Sequence, residues 1–146
     1  AAAKQALDTA THLAERRAGV IVYPEGTLTR DPDLWPMRGK TGAARLALAG
    51  DIPLIPMAQW GAQQIMPRYG KLSLWPLRKR IRVRVGQPIA LAEYRDRAAH
   101  PAAQAELTAR VMDEIAELLS DLRGEPAPAG RWEPGAHGQS ETGRLE

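Results

Sequence analysis

The sequence contains no cysteine, which excludes a disulfide scaffold, a thiolate metal site and a cysteine nucleophile. It also lacks a long apolar run. No stretch approaches the roughly 20 consecutive apolar residues that span a bilayer, so any membrane contact by these residues is expected to be peripheral. A secretory signal pattern is missing too, because Lys4, Asp8, Glu15, Arg16 and Arg17 interrupt any apolar core in residues 1–17. Gly39-Lys40-Thr41 has the look of a nucleotide-binding loop. Such a loop needs glycine five positions before Gly39, and Leu34 stands there.

What is present fits one domain, or part of one, with enough apolar content for a core: 146 residues, 44% of them hydrophobic. The net charge is +3, and residues 124–146 hold four acids and two bases, which leaves +5 on residues 1–123. That balance favours an anionic partner such as phospholipid headgroups, a nucleotide-bearing cofactor or nucleic acid.

Leu7, Ala10, Leu13 and Ala14 recur at helical spacing, which predicts a helix over residues 1–17, stopped by Gly19. His12 in it has no partner at metal-ligand spacing. Val20, Ile21, Val22 and Tyr23 form an apolar run expected to be a central strand, ended by Pro24. Pro32 and Pro36 make residues 31–40 a loop, and Trp35 between them is expected either to enter an apolar cleft or lipid interface or to pack under the loop. Thr41 is placed to cap a helix over residues 42–49 that Gly50 ends, and residues 52–60 read as the next strand. Strand, helix and strand at this spacing predict a parallel crossover, hence an α/β fold with a mainly parallel sheet and flanking helices.

Further along, Ile81, Val83 and Val85 alternate with Arg80, Arg82 and Arg84, which predicts a strand with one buried face and one basic face. Residues 91–95 read as a helical turn. Residues 102–122 carry Leu107, Val111, Ile115, Leu118 and Leu122 on one helical face. From Gly124 the composition turns to Pro, Gly, Ser and Glu, so residues 1–123 are expected to be the folded unit and residues 124–146 a disordered tail.

The chemistry is concentrated just after the first strand, where Glu25, Gly26, Thr27, Thr29 and Arg30 put a carboxylate, two hydroxyls and a guanidinium within six residues. Tyr23-Pro-Glu-Gly-Thr27 resembles the Phe-Pro-Glu-Gly-Thr block of the glycerophospholipid acyltransferases, the lysophosphatidate (1-acylglycerol-3-phosphate) acyltransferase family. Ile52-Pro-Leu-Ile-Pro-Met57 is similar to that family's later Val-Ile-Pro-Val block, and the residues from Gly39 to Ala47 between them also fit. The resemblance covers roughly residues 15–95.

It implies transfer of a fatty acyl group from acyl-CoA or acyl carrier protein to the free hydroxyl of a lysophospholipid in phospholipid biosynthesis. No cofactor beyond the acyl donor and no metal are implied. The work would be done in the cytoplasm, at the inner face of the membrane. Substrate binding would fall to Glu25, Gly26, Thr27, Arg30 and Lys40. On that reading Glu25 accepts a glycerol hydroxyl or orients Arg30, Gly26 and Thr27 admit the substrate to the backbone, and Arg30 and Lys40 offset the phosphate charge. The alternative for Glu25 is a carboxylate that fixes the loop through backbone amides, and for Lys40 a solvated side chain.

Two departures accompany the resemblance. The family usually has Arg where this chain has Leu28. Its catalytic pattern, His followed five positions later by Asp, is not met either, since Arg17, Ala105 and Thr142 stand five positions after His12, His100 and His137. The expectation is therefore the C-terminal portion of an acyltransferase domain, inactive by itself and with no catalytic residue in this chain. A different class stays open: a non-enzymatic basic module that binds anionic lipid or nucleic acid through Arg78, Lys79, Arg80, Arg82 and Arg84. No nucleic-acid motif accompanies those bases, so a membrane surface is the expected anionic contact.

Overall fold

The computed structural model describes Asp8, His12 and residues 15–140. The helix expected over residues 1–17 lies mostly outside the described residues, as do residues 141–146 of the tail. In chain order the regular elements are α1 (Gly42–Gly50), β1 (Met57–Trp60), β2 (Arg82–Val85) and α2 (Pro101–Arg123). Short 3-10 turns occupy Ala62–Gln64, Ala92–Arg97 and Pro134–His137.

The packing is organised by α2. Pro101 suits its first turn because that position needs no amide donor, and His100 before it is extended. Gly124 closes the other end, its amide donating to the Ser120 carbonyl at 2.8 Å. Along the buried face, Ala103, Leu107 and Val111 meet Ala44 and Ala47 of α1 together with Ile89, Leu91 and Tyr94. Leu119 and Leu122, two turns further on, pack on Trp35 and Ala58. One amphipathic helix thus joins two apolar clusters, and the spacing of its leucines follows from that.

β1 and β2 pair antiparallel, with Ala58 opposite Arg84 and Trp60 opposite Arg82. Residues directly opposite share a face. Ala58 packs against Leu119 and Leu122, so Arg82 and Arg84 lie on the helix side, and Arg84 reaches Asp121 of α2 at 3.1 Å. Ile81, Val83 and Val85 are 46%, 55% and 61% exposed. The half-buried strand expected here is therefore corrected: all four residues of β2 are exposed, and the arginine side, not the apolar side, is the one turned toward α2.

Residues 20–23 also differ from expectation. They pair with no strand among the described residues, and Val20, Ile21 and Tyr23 are more than half exposed. A β-branched run becomes a strand only where a neighbouring ladder takes up its amides. Two antiparallel strands alone neither make nor oppose a mainly parallel sheet. The expected strand over residues 52–60 is shorter, starting at Met57, and Pro53 and Pro56 before it cannot donate to a ladder.

The helical turn expected near residues 91–95 is the 3-10 turn Ala92–Arg97, with Tyr94 buried. In the tail, Trp132 stacks on His137 at 3.6 Å between ring centroids, and Arg131 pairs with Asp113 of α2.

Candidate functional site

The loop of residues 23–40 is closed by its own hydrogen bonds. The Gly26 amide donates to the Tyr23 carbonyl at 3.0 Å, and the Lys40 amide to the Pro24 carbonyl at 2.8 Å. Gly26 has φ of +67°, a conformation that residues with a Cβ adopt only under strain. The Lys40 side chain runs across it, its Nζ 3.4 Å from where a Cβ would lie. Further in, the Thr29 hydroxyl donates to the Trp35 carbonyl at 2.6 Å, and the Asp33 amide to the Asp31 carboxylate at 2.7 Å. Pro32 and Pro36 make this closure by side chains necessary, since they supply no amides.

Glu25 spans the loop. Its Oε2 accepts the Met37 amide at 3.0 Å, and no other hydrogen bond reaches this carboxylate among the described residues. Burial pushes its pKa above the ordinary glutamate value, outweighing the opposing effects of the Met37 amide and the field of Arg131. The charge of Asp31 adds to the rise. The loop-fixing role is thus seen for one oxygen.

Beneath the loop runs an apolar cleft of about 580 Å³, of the size that holds small ligands. Glu25 and Thr27 line its rim, Val22 and Ile55 its mouth, and Met112 and Ile115 of α2 its floor. Residues 20–24 and 52–56, which form no ladder with each other, both line the cleft.

The expected substrate-binding residues separate into two groups. Glu25, Gly26, Thr27 and Lys40 come together at the loop's turn. Arg30 is 1% exposed under the loop and does not line the cleft. Trp35, too, is buried and packs under the loop, so it does not enter the cleft or a lipid interface. The Thr41 hydroxyl makes no cap for α1, contrary to expectation. Its backbone at φ −73° and ψ 3° is not the extended cap geometry that turns a side-chain oxygen toward the first amides.

Of the five basic residues expected to face an anionic surface, two are otherwise engaged. Lys79 is pinned to the Gln64 carbonyl and to the carbonyl and hydroxyl of Ser73. Arg84 pairs with Asp121, and Arg82 shares its face. Arg78, Arg80 and Arg82 are exposed. None of the three histidines lines the cleft.

Residues 1–60 match the Acyltransferase family model. The match takes in the Pro-Glu-Gly-Thr block, the loop and α1, and ends with β1. It supports the acyltransferase family and a general acyl transfer without selecting a subtype. No curated protein and no solved structure matches the chain.

Two residues of the acyltransferase-matched loop's surroundings escaped the sequence reading. Arg68 donates to the carbonyls of Thr29 and Asp31, and Arg123 packs under Trp35. Both lie far from the loop in sequence. No local pattern marks them.

Proposed function

We propose that this chain supplies the acyl-chain cleft and the acceptor-positioning loop of a phospholipid-synthesising acyltransferase, working in the cytoplasm at the inner face of the membrane. The observation that carries the reading is an apolar cleft opening directly under the Pro-Glu-Gly-Thr turn, within the stretch that matches the family. A fatty acyl chain gains from such a cleft by burial alone, at about 0.8 kcal/mol per methylene. The thioester of acyl-CoA or acyl carrier protein would then sit at the rim. There the second oxygen of Glu25 can accept a hydroxyl hydrogen bond from a lysophospholipid acceptor, and Lys40 can offset its phosphate.

In the reaction the acceptor oxygen attacks the thioester carbonyl as its proton is removed, and the thiolate leaves. We assign no residue of this chain to that proton transfer. The subtype we favour is lysophosphatidate acyltransferase, on the two sequence blocks already described. Residues 20–23 are proposed as one strand of a mainly parallel α/β sheet in the working domain, on the strength of their β-branched composition and the crossover spacing.

Titration calorimetry with oleoyl-CoA, with free CoA as the control, tests the cleft. Saturable binding that free CoA does not reproduce is expected. Equal binding of the two rejects the reading.

A further inference from the structure

The stretch from residue 66 to residue 77 exposes apolar side chains that nothing in the fold explains. Met66 is 65% exposed, Leu72 60%, Leu74 64%, Trp75 79% and Leu77 82%. Such a concentration in one loop is uncommon on a protein surface that meets only water. Floppiness is not the cause, because the loop is braced from within. The Ser73 amide donates to the Ile65 carbonyl at 2.7 Å, and the Gly70 amide to the Pro67 carbonyl at 2.9 Å. Lys79 closes its base through its bonds to Gln64 and Ser73. The fold thus holds Trp75 and Leu77 outward on a fixed platform.

Charge identifies what the platform meets. From residue 52 to residue 92 the sequence has seven Lys and Arg and no Asp or Glu. Lys71, Arg78 and Arg80 flank the apolar tip and are exposed. An apolar tip with a tryptophan, ringed by bases and free of acids, suits a bilayer interface with anionic headgroups. The apolar side chains enter the boundary region, the indole sits at headgroup level, and the bases remain among the phosphates.

We infer that residues 72–78 are an interfacial anchor that inserts Trp75 and Leu77 into an anionic lipid surface, with Lys71, Arg78 and Arg80 on its headgroups. Lys79 is the strut of the anchor, not a lipid contact. The inference goes beyond the acyl-transfer reading and stands if the cleft binds no acyl chain, because it uses no residue of the cleft.

The test is co-sedimentation of the full chain with phosphatidylcholine vesicles, with and without about 30% phosphatidylglycerol. It is paired with quenching of tryptophan fluorescence by brominated lipid. Anionic vesicles should bind the chain, more weakly as salt rises from about 0.1 M to about 0.5 M and screening shortens. Trp75→Ser with Leu77→Ser should lower binding at least tenfold without shifting the melting temperature, since both side chains are largely exposed.

Trp75→Leu is the second variant. It keeps the apolar tip, so it should bind nearly as the parent does while losing most of the quenching. Failure to bind anionic vesicles overturns the inference. So does full binding by the double serine variant, which is what a purely electrostatic surface or a nucleic-acid site would show. Quenching that persists in Trp75→Leu overturns it as well, because another tryptophan would then be the inserted one.

Discussion

The guanidinium of Arg123 lies 4.1 Å from the ring centroid of Trp35. The Trp60 ring centroid lies 4.4 Å from the same group, so one cation from the end of α2 joins the loop under Glu25 to the end of β1. Its Nη1 donates to the Asp33 carbonyl at 2.6 Å, and the side chain is only 10% exposed. A planar guanidinium can stack on two rings while its edge makes hydrogen bonds, and an ammonium cannot. Arg123→Ala is therefore expected to cost about 2–4 kcal/mol of stability. Arg123→Lys should recover less than half of that. Urea denaturation of the three proteins measures it, and a lysine variant as stable as the parent would show that the stacking contributes nothing.

Gly61 makes a sharper steric claim. It has φ of +112°, and a Cβ there would lie 2.2 Å from the Arg80 carbonyl oxygen, a backbone atom that cannot swing aside. Gly61→Ala should destabilise by about 2 kcal/mol or more, because strain and overlap add. Gly130→Ala is the control, since nothing lies within 4 Å of its Cβ position. Its effect should stay within about 0.5 kcal/mol. Thermal melts of both variants decide the matter.

Glu25 links stability to pH with a definite sign. Its pKa in the fold is raised by burial, so the fold prefers the protonated carboxyl more than the unfolded chain does. The stability tied to this group is fully present below the ordinary value of 4.5. It declines as pH rises from there through the raised folded value, and above that it stays lower. Glu25→Gln removes the titration and keeps an acceptor for the Met37 amide. It should melt no lower than the parent at neutral pH and lose this part of the pH dependence. Glu25→Leu should lose about 1–3 kcal/mol, because the amide is left without its partner. A glutamine variant that melts well below the parent at neutral pH would show that the carboxylate's charge is needed.

How much of this was legible in the sequence depends on the range over which each feature is determined. Leu107, Val111, Ile115, Leu118 and Leu122 declare α2 because helical spacing is local, and the observed Pro101–Arg123 contains the expected residues 102–122. The alternation at residues 81–85 shows that two faces differ but not which one turns toward α2. That choice is made by Ala58, whose small side chain lets α2 close on β1 and brings the arginines to its side. Pro-Glu-Gly-Thr marks a turn with chemistry, and the structure returns Glu25, Gly26 and Lys40 to one place. Arg30 lies buried beneath the loop and makes no surface contact, because in irregular backbone side-chain direction is set by tertiary contacts. Neither period nor composition records that.

Dependence of affinity on acyl-chain length separates an acyl-chain cleft from a merely apolar surface. The cleft runs from the rim at Glu25 down to Met112 and Ile115, so each added methylene of a bound chain should meet fresh apolar wall until the floor is reached. At about 0.8 kcal/mol per methylene, Kd should fall up to roughly fourfold for each carbon added to a saturated acyl-CoA, and then level off. Ile55, at the mouth and 49% exposed, offers a variant with little cost to the core. Ile55→Lys should flatten the series by placing an ammonium where the chain enters, while leaving the melting temperature within a degree or two. Calorimetry from octanoyl-CoA to octadecanoyl-CoA gives the slope directly. An affinity independent of chain length in the parent, or a slope unchanged in the lysine variant, would mean that the acyl chain binds elsewhere.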